Sequence, residues 1–189
     1  MRRAPATIQI VPFRKRLRWP WRFAIALALC AFGILSLWAS TVFLKHFKPW
    51  YAAAPTVVSV IDGDTIDVRI GTQTHRIRLL GIDTPEIKDP RKPVQCFGPE
   101  ASANTKQLLP RGTVVQLATD TETKDHFGRD LAYVWRKADG LFINKAIADA
   151  GFADLLIIEP NVAHASELQK AVMAAKENKL GRWGACPQK

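Results

Sequence analysis

Residues 56–82 read TVVSVIDGDTIDVRIGTQTHRIRLLGI, three extended runs in quick succession: Thr56 to Ile61, Thr65 to Ile70 and Thr74 to Ile82. Each is rich in Val, Ile, Leu and Thr, whose side chains suit a pleated, half-buried surface. Asp62-Gly63 and Gly71-Thr72 separate them, and both are turn signals. In the second run Ile66, Val68 and Ile70 alternate with Thr65, Asp67 and Arg69, the period of an antiparallel strand with one buried face. The stretch predicts a β-meander with its polar residues gathered at the strand ends.

Downstream the pattern changes. A polar loop runs from Lys88 to Gln95, and Gly98-Pro99-Glu100-Ala101 opens a helix to about Leu109; proline in the first turn with a glutamate beside it suits a helix start. Val114 to Ala118 and Leu131 to Arg136 read as two further strands, followed by an Asp139-Gly140 turn and a helix from Ile143 to Ala150 that stops at Gly151. Ala165, Leu168, Ala171, Val172 and Ala175 mark one face of a last helix, ended by Gly181. Five strands with a helix between the third and fourth predict a mainly β, α+β domain over 56–183: a five-stranded OB-type barrel with three α-helices, a fold that often binds oligonucleotides. Residues 184–189 form a tail.

Upstream lies a different kind of sequence. Of the 27 Lys and Arg in the 189 residues, nine fall in the first 50, where there is no acid, leaving 18 bases against 17 acids in the remainder. The formal charge of +10 therefore describes the N-terminus, and any phosphate affinity of the domain must come from local placement. Phe23 to Leu44 is 22 residues without a charge, long enough for a helix to span a bilayer. Seven bases precede this run and two follow it, which predicts a cytoplasmic N-terminus (1–22), a transmembrane helix (23–44), a tether (45–55) and a domain on the extracytoplasmic, periplasmic or extracellular side. The alternative is secretion after signal cleavage; the run exceeds the usual h-region of roughly 7 to 15 residues, which favours a retained anchor.

The informative polar residues crowd the meander's ends: Asp62-Gly63-Asp64-Thr65, and Arg78 through Asp83-Thr84-Pro85-Glu86. Asp-Gly-Asp alone is an ordinary turn. An EF-hand is excluded, because counting from Asp62 the sixth position is Asp67 and the twelfth Gln73. Asp64 and Asp83, with a carbonyl near Thr84, offer oxygen ligands to a hard cation that keeps open positions for a phosphate oxygen. Glu86 is then a candidate base for the attacking water. Arg78 and Arg129 are singly more often solvated strand-end charges; together they would offset charge growing on a pentacoordinate phosphate.

The segments VVSVIDGDTIDV, IRLLGIDTPE, FGPEASANTKQLL, DHFGRDLAYVW and FINKAIADAGFAD, in this order and spacing, resemble the staphylococcal-nuclease (thermonuclease) family over nearly all of Val57 to Trp183. The resemblance implies a Ca²⁺ held by Asp64, Asp83 and the Thr84 carbonyl, a catalytic trio of Arg78, Glu86 and Arg129, and a nearby acid at Asp62. It implies hydrolysis of DNA or RNA, as an endonuclease leaving a 3′-phosphate, by a monomer without protein partners. Two departures bear on substrate grip. Where the family's type member has pocket tyrosines, this chain reads Asp154-Leu155-Leu156-Ile157-Ile158-Glu159, and His126 and Phe127 replace a Lys and a Tyr. Base stacking on an aromatic is worth about 1 to 3 kcal/mol, so its loss weakens or changes base preference.

Cys96 and Cys186 are too few for a zinc site and are candidates to pair in an oxidising compartment, while His75, His126 and His164 lack ligand spacing. The rival reading is a membrane-tethered, non-cleaving nucleic-acid-binding module on the same fold. A structural envelope protein is a third, disfavoured by the intact set of acids and arginines.

Overall fold

The computed structural model describes residues 53–87 and 94–187. The expected cytoplasmic segment, membrane span and most of the tether lie outside these residues, as does most of the polar loop after Ile87. Among the described residues no helix is long and apolar enough to cross a membrane.

The meander forms as expected, with β1 (Thr56–Asp62), β2 (Thr65–Ile70) and β3 (Gln73–Leu79) paired antiparallel in sequence order. Ile66, Val68 and Ile77 on its inner face are fully buried, whereas Arg69 on the opposite face is exposed. The third run does not continue to Ile82. It breaks at Leu80, and Gly81 takes a left-handed φ of 79° before a separate strand, β4 (Gly81–Asp83). A side chain at Gly81 would be strained by that φ and would also meet Leu168 Cδ1 at 2.3 Å. The fully buried Asn144 fixes the break: its Nδ2 donates to the Leu80 carbonyl at 2.8 Å, and its Oδ1 accepts from Val134 N at 2.9 Å.

Helix α1 (Gly98–Leu108), β5 (Val115–Ala118), β6 (Asp130–Arg136), the two-residue β7 (Leu141–Phe142) and α2 (Ile143–Asp149) follow. They are succeeded by β8 (Asp154–Leu156), α3 (Ala165–Glu177) and a final helical turn, α4 (Arg182–Ala185). The main sheet runs β1-β2-β3-β6-β5, with β3 and β6 parallel; β4 pairs only with β8, in a small second sheet. The fold is thus mixed α+β with the three expected helices. The expected five-stranded barrel is corrected in one respect: Thr56 of β1 meets Val114, just before β5, in an isolated bridge rather than a ladder, and among the described residues no closed barrel forms. Backbone bonds from Val57 N to Thr113 O, Gly112 N to Val57 O and Val115 N to Pro55 O tie the two edges there.

The core lies between the sheet's inner face and the helices. Leu79, Ile82, Leu117 and Tyr133 meet Ile143, Ile147 and Leu168 there, all at 2% exposure or less. The apolar face of α3 anticipated from its spacing, Leu168, Ala171, Val172 and Ala175, is the buried one. Cys96 and Cys186 are joined by a disulfide across 90 residues, tying the segment before α1 to the turn of α4.

Candidate active site

Two short backbone events bring the site together. The β1–β2 turn carries Asp62, Gly63 and Asp64, and Gly63 packs so closely on Thr84 that a Cβ there would lie 2.6 Å from its Oγ1. Only glycine admits this approach, which lays the turn against the segment leaving β4. Thr105 of α1 holds the turn from behind, its Oγ1 donating to the Gly63 carbonyl at 2.6 Å. The second event is register. Thr65 lies opposite Arg78 in the β2–β3 ladder, so Arg78 stands beside Asp64.

Arg78 then joins both aspartates. Its Nη1 lies 3.1 Å from Asp64 Oδ2 and its Nη2 donates to Asp83 Oδ1 at 2.8 Å. Nη1 also donates to the carbonyls of Leu79 at 3.0 Å and Ile82 at 2.8 Å. Arg78 lies at the aspartates' end of the strand, as the sequence predicts, and is buried there: only 10% of its side chain is exposed. A buried guanidinium needs this many acceptors to offset its desolvation.

Asp64 is equally committed. Its Oδ2 accepts from Thr84 N at 2.8 Å and Thr84 Oγ1 at 3.0 Å, and its Oδ1 accepts from Thr65 Oγ1 at 3.0 Å. Asp83 is the open member of the pair, with 57% of its side chain exposed. Burial raises its carboxyl above the ordinary carboxylate range, with Asp64 and Asp154 adding to the rise against the charge of Arg78. Asp62, beside them, is pushed up to about 7 by burial and by a hydrogen bond and charge from Glu86, with Asp64 contributing. Among the described residues Asp62, Asp64, Asp83 and Glu86 therefore lie close together, with buried Arg78 paired to Asp64 and Asp83.

Glu86 is half-buried at the cavity's edge. Its backbone is held in both directions by one residue that sequence reasoning did not single out: Gln95 N donates to Glu86 O at 3.0 Å, and Gln95 Oε1 accepts from Glu86 N at 3.1 Å. The adjacent Cys96 is the disulfide residue, so the Glu86 segment is linked covalently to α4. A glutamine nine residues away in a polar loop carries no pattern that marks it.

Arg129 stands on the β5–β6 side of the same cavity, whose volume is about 550 Å³. Its Nε donates to Asp125 Oδ2 at 2.6 Å, and its backbone N to Asp125 Oδ1 at 2.9 Å. Burial alone would raise the Asp125 carboxyl, but bonds and charge from Arg129 hold it below the ordinary range. Among the described residues no hydrogen bond is made by the Nη atoms of Arg129, so the fork of the guanidinium is available to a ligand. The cavity thus collects all six anticipated residues, Asp64, Arg78, Asp83, Thr84, Glu86 and Arg129. Leu156 and Ile158 line it where aromatics were noted as missing, with Ile158 61% exposed.

Among the described residues no three Asp, Glu, His or Cys converge as a self-sufficient metal cage. The candidate donors, the carboxylates of Asp64 and Asp83 with the Thr84 carbonyl, are all oxygen, and these residues line the cavity together. Such a set fits a hard cation completed by water or phosphate and does not fit zinc.

A model of the family described as staphylococcal nuclease homologue matches residues 76–185, a span that begins after the first aspartate turn. Pairwise similarity reaches further. The thermonuclease of Staphylococcus hyicus is 38% identical over 127 residues, covering 67% of this chain and 73% of that protein. The thermonuclease of Staphylococcus intermedius is 41% identical over 127 residues, 67% of this chain and 74% of that protein. Endonuclease YncB of Bacillus subtilis is 35% identical over 130 residues, 68% of this chain and 60% of its own length. On a match extending over more than half its length and on relatives this similar, the chain belongs to the staphylococcal nuclease homologue family.

Proposed function

We propose that this domain is a nuclease that hydrolyses phosphodiester bonds of DNA or RNA with Ca²⁺, as an endonuclease leaving a 3′-phosphate. The observation that carries the reading is the single cavity in which Arg78 clamps Asp64 to Asp83 while Glu86 and Arg129 stand on its walls. Asp64, Asp83 and the Thr84 carbonyl would hold the ion, which supplies polarisation of a phosphate oxygen when bound.

The chain's own residues do the rest. Glu86, kept in place by Gln95, orients a water and accepts its proton. The water oxygen bonds to phosphorus, the P–O5′ bond breaks, and the departing 5′-oxygen takes a proton from solvent water. No covalent intermediate forms on the protein. Arg129 presents its Nη fork to two phosphate oxygens, and Arg78 adds positive charge from beneath while fixing the aspartates' separation. The domain works as a monomer on the extracytoplasmic side of the membrane, tethered by residues 23–44; the uncharged run of 22 residues and the excess of bases before it support this.

The test is cleavage of single-stranded DNA and RNA by the full chain, with calcium or with chelator, beside Glu86→Gln. The expected result is calcium-dependent cutting, reduced about 10²- to 10⁴-fold by the substitution. Binding without cutting by the unaltered chain would overturn the reading in favour of a binding module. Sequencing the mature N-terminus tests the tether, which a start near Pro55 overturns.

A further inference from the structure

A second cleft, of about 830 Å³, opens beside the catalytic cavity. Its cations are Lys176, Lys179 and Arg182, against one acid, Asp154, among its described lining residues. The sequence from residue 51 onward holds 18 bases and 17 acids, so three cations on one acid are a local concentration rather than a share of a generally basic surface.

Trp183 organises them. Lys176 Nζ lies 4.3 Å and the Arg182 guanidinium 4.5 Å from its ring centroid, both within cation–π range. Asp154 anchors the same two side chains, at 3.1 Å from Lys176 Nζ and 3.6 Å from Arg182 Nη1. Long cationic side chains ordered in advance lose less entropy on meeting an anion. The disulfide of Cys96 and Cys186 forms part of the wall and fixes it. Lysine and arginine heads are donors only, so the ligand must supply acceptors and negative charge.

Two features make this cleft a continuation of the catalytic cavity. Gln95 lines both. Asp154, at the cleft, is the cross-strand partner of Asp83, at the cavity. The cavity wall also offers aliphatic Leu156 and Ile158 to a base, which leaves backbone charge as the main source of grip.

We propose that this cleft is a backbone-binding subsite: Lys176, Lys179 and Arg182 take phosphates of a nucleic-acid strand beyond the one in the catalytic cavity, without reading its bases. The proposal rests on the nuclease reading for the direction of the strand, and its test is arranged to fail separately. The full chain and its Lys176→Gln/Lys179→Gln variant are compared on a single-stranded oligonucleotide long enough to cover both cavities and on a nucleoside aryl phosphodiester too short to leave the first.

The expected result is a KM for the oligonucleotide raised about tenfold, and a salt dependence of log KM shallower by about 1 per lysine removed. Turnover of the small diester stays unchanged, which also shows the variant to be folded. Equal KM and equal salt slope on the oligonucleotide would overturn the subsite, as would equal losses on both substrates. Should the unaltered chain cut neither substrate, the nuclease reading fails. Oligonucleotide binding in chelator then decides the subsite alone, a shallower salt slope for the variant supporting it and equal slopes overturning it.

Discussion

Arg78 and Arg129 line one cavity, yet they are different kinds of residue. Arg78 is 10% exposed in its side chain and spends its donors on two carboxylates and two carbonyls. Arg129 is 30% exposed and leans on a single carboxylate through Nε. Asp64 and Arg78 of the aspartate wall are buried, and its charges are held by strand register and a close glycine contact. The Arg129 wall belongs to a loop before β6, where the local sequence Asp125-His126-Phe127-Gly128-Arg129 makes its own turn. Residues of the same type can thus serve either to build a site or to touch what enters it, and burial with its partner count tells them apart.

The sharpest attempt to break this contrast is Arg78→Ala. It leaves Asp64 buried with its opposing cation gone, and the expected cost is about 3 to 5 kcal/mol of stability, with activity lost. Urea unfolding checks it, and a loss below about 1 kcal/mol, the level of an exposed ion pair, would place Arg78 in the same class as Arg129. Next comes the covalent tie behind Glu86. Cys96→Ser with Cys186→Ser is expected to lower stability by about 2 to 5 kcal/mol, read as a lower denaturant midpoint. An unchanged midpoint would mean that the segment carrying Gln95 is held without it.

The smallest effect on stability, and the most selective on chemistry, is expected from Arg129→Ala. Unfolding should stay within about 1 kcal/mol of the unaltered chain, while kcat for nucleic-acid cleavage falls about 10²- to 10³-fold. A parallel fall in stability would erase the distinction between the two walls. Thr105→Val sharpens the picture of the aspartate wall from behind, at an expected cost of about 1 to 3 kcal/mol for the Gly63 carbonyl left unsatisfied; a stability unchanged in unfolding would remove α1 as the turn's support.

Much of this molecule is legible from local pattern. The alternation in Thr65–Ile70, the Asp62-Gly63 turn, the proline-led start of α1 and the apolar face of α3 all correspond to elements with nearly the expected bounds. Each depends on a few neighbouring side chains, and period and turn chemistry are short-range properties. Asp64 and Arg78 are legible for a related reason, since they sit at strand ends that a meander must bring together, whereas Arg129 comes from the separate turn before β6.

What local pattern does not carry is every decision that depends on a distant segment. The run Thr74–Ile82 reads as one strand, but α3 presses Leu168 on Gly81 and Asn144 captures the Leu80 carbonyl, so it becomes two strands in two sheets. Thr56 meets Val114 through an isolated bridge rather than a ladder, and a propensity for strand says nothing about how a sheet ends. That Arg78 is buried among Asp64, Asp83 and two carbonyls is decided by packing. Gln95 is an ordinary loop residue until it faces Glu86. Residue type and spacing thus establish which groups are available and which elements carry them, because those depend on the chain within a few residues. Exposure, partner and register depend on packing between segments up to 90 residues apart, as in the Cys96–Cys186 bond, and only the folded chain settles them.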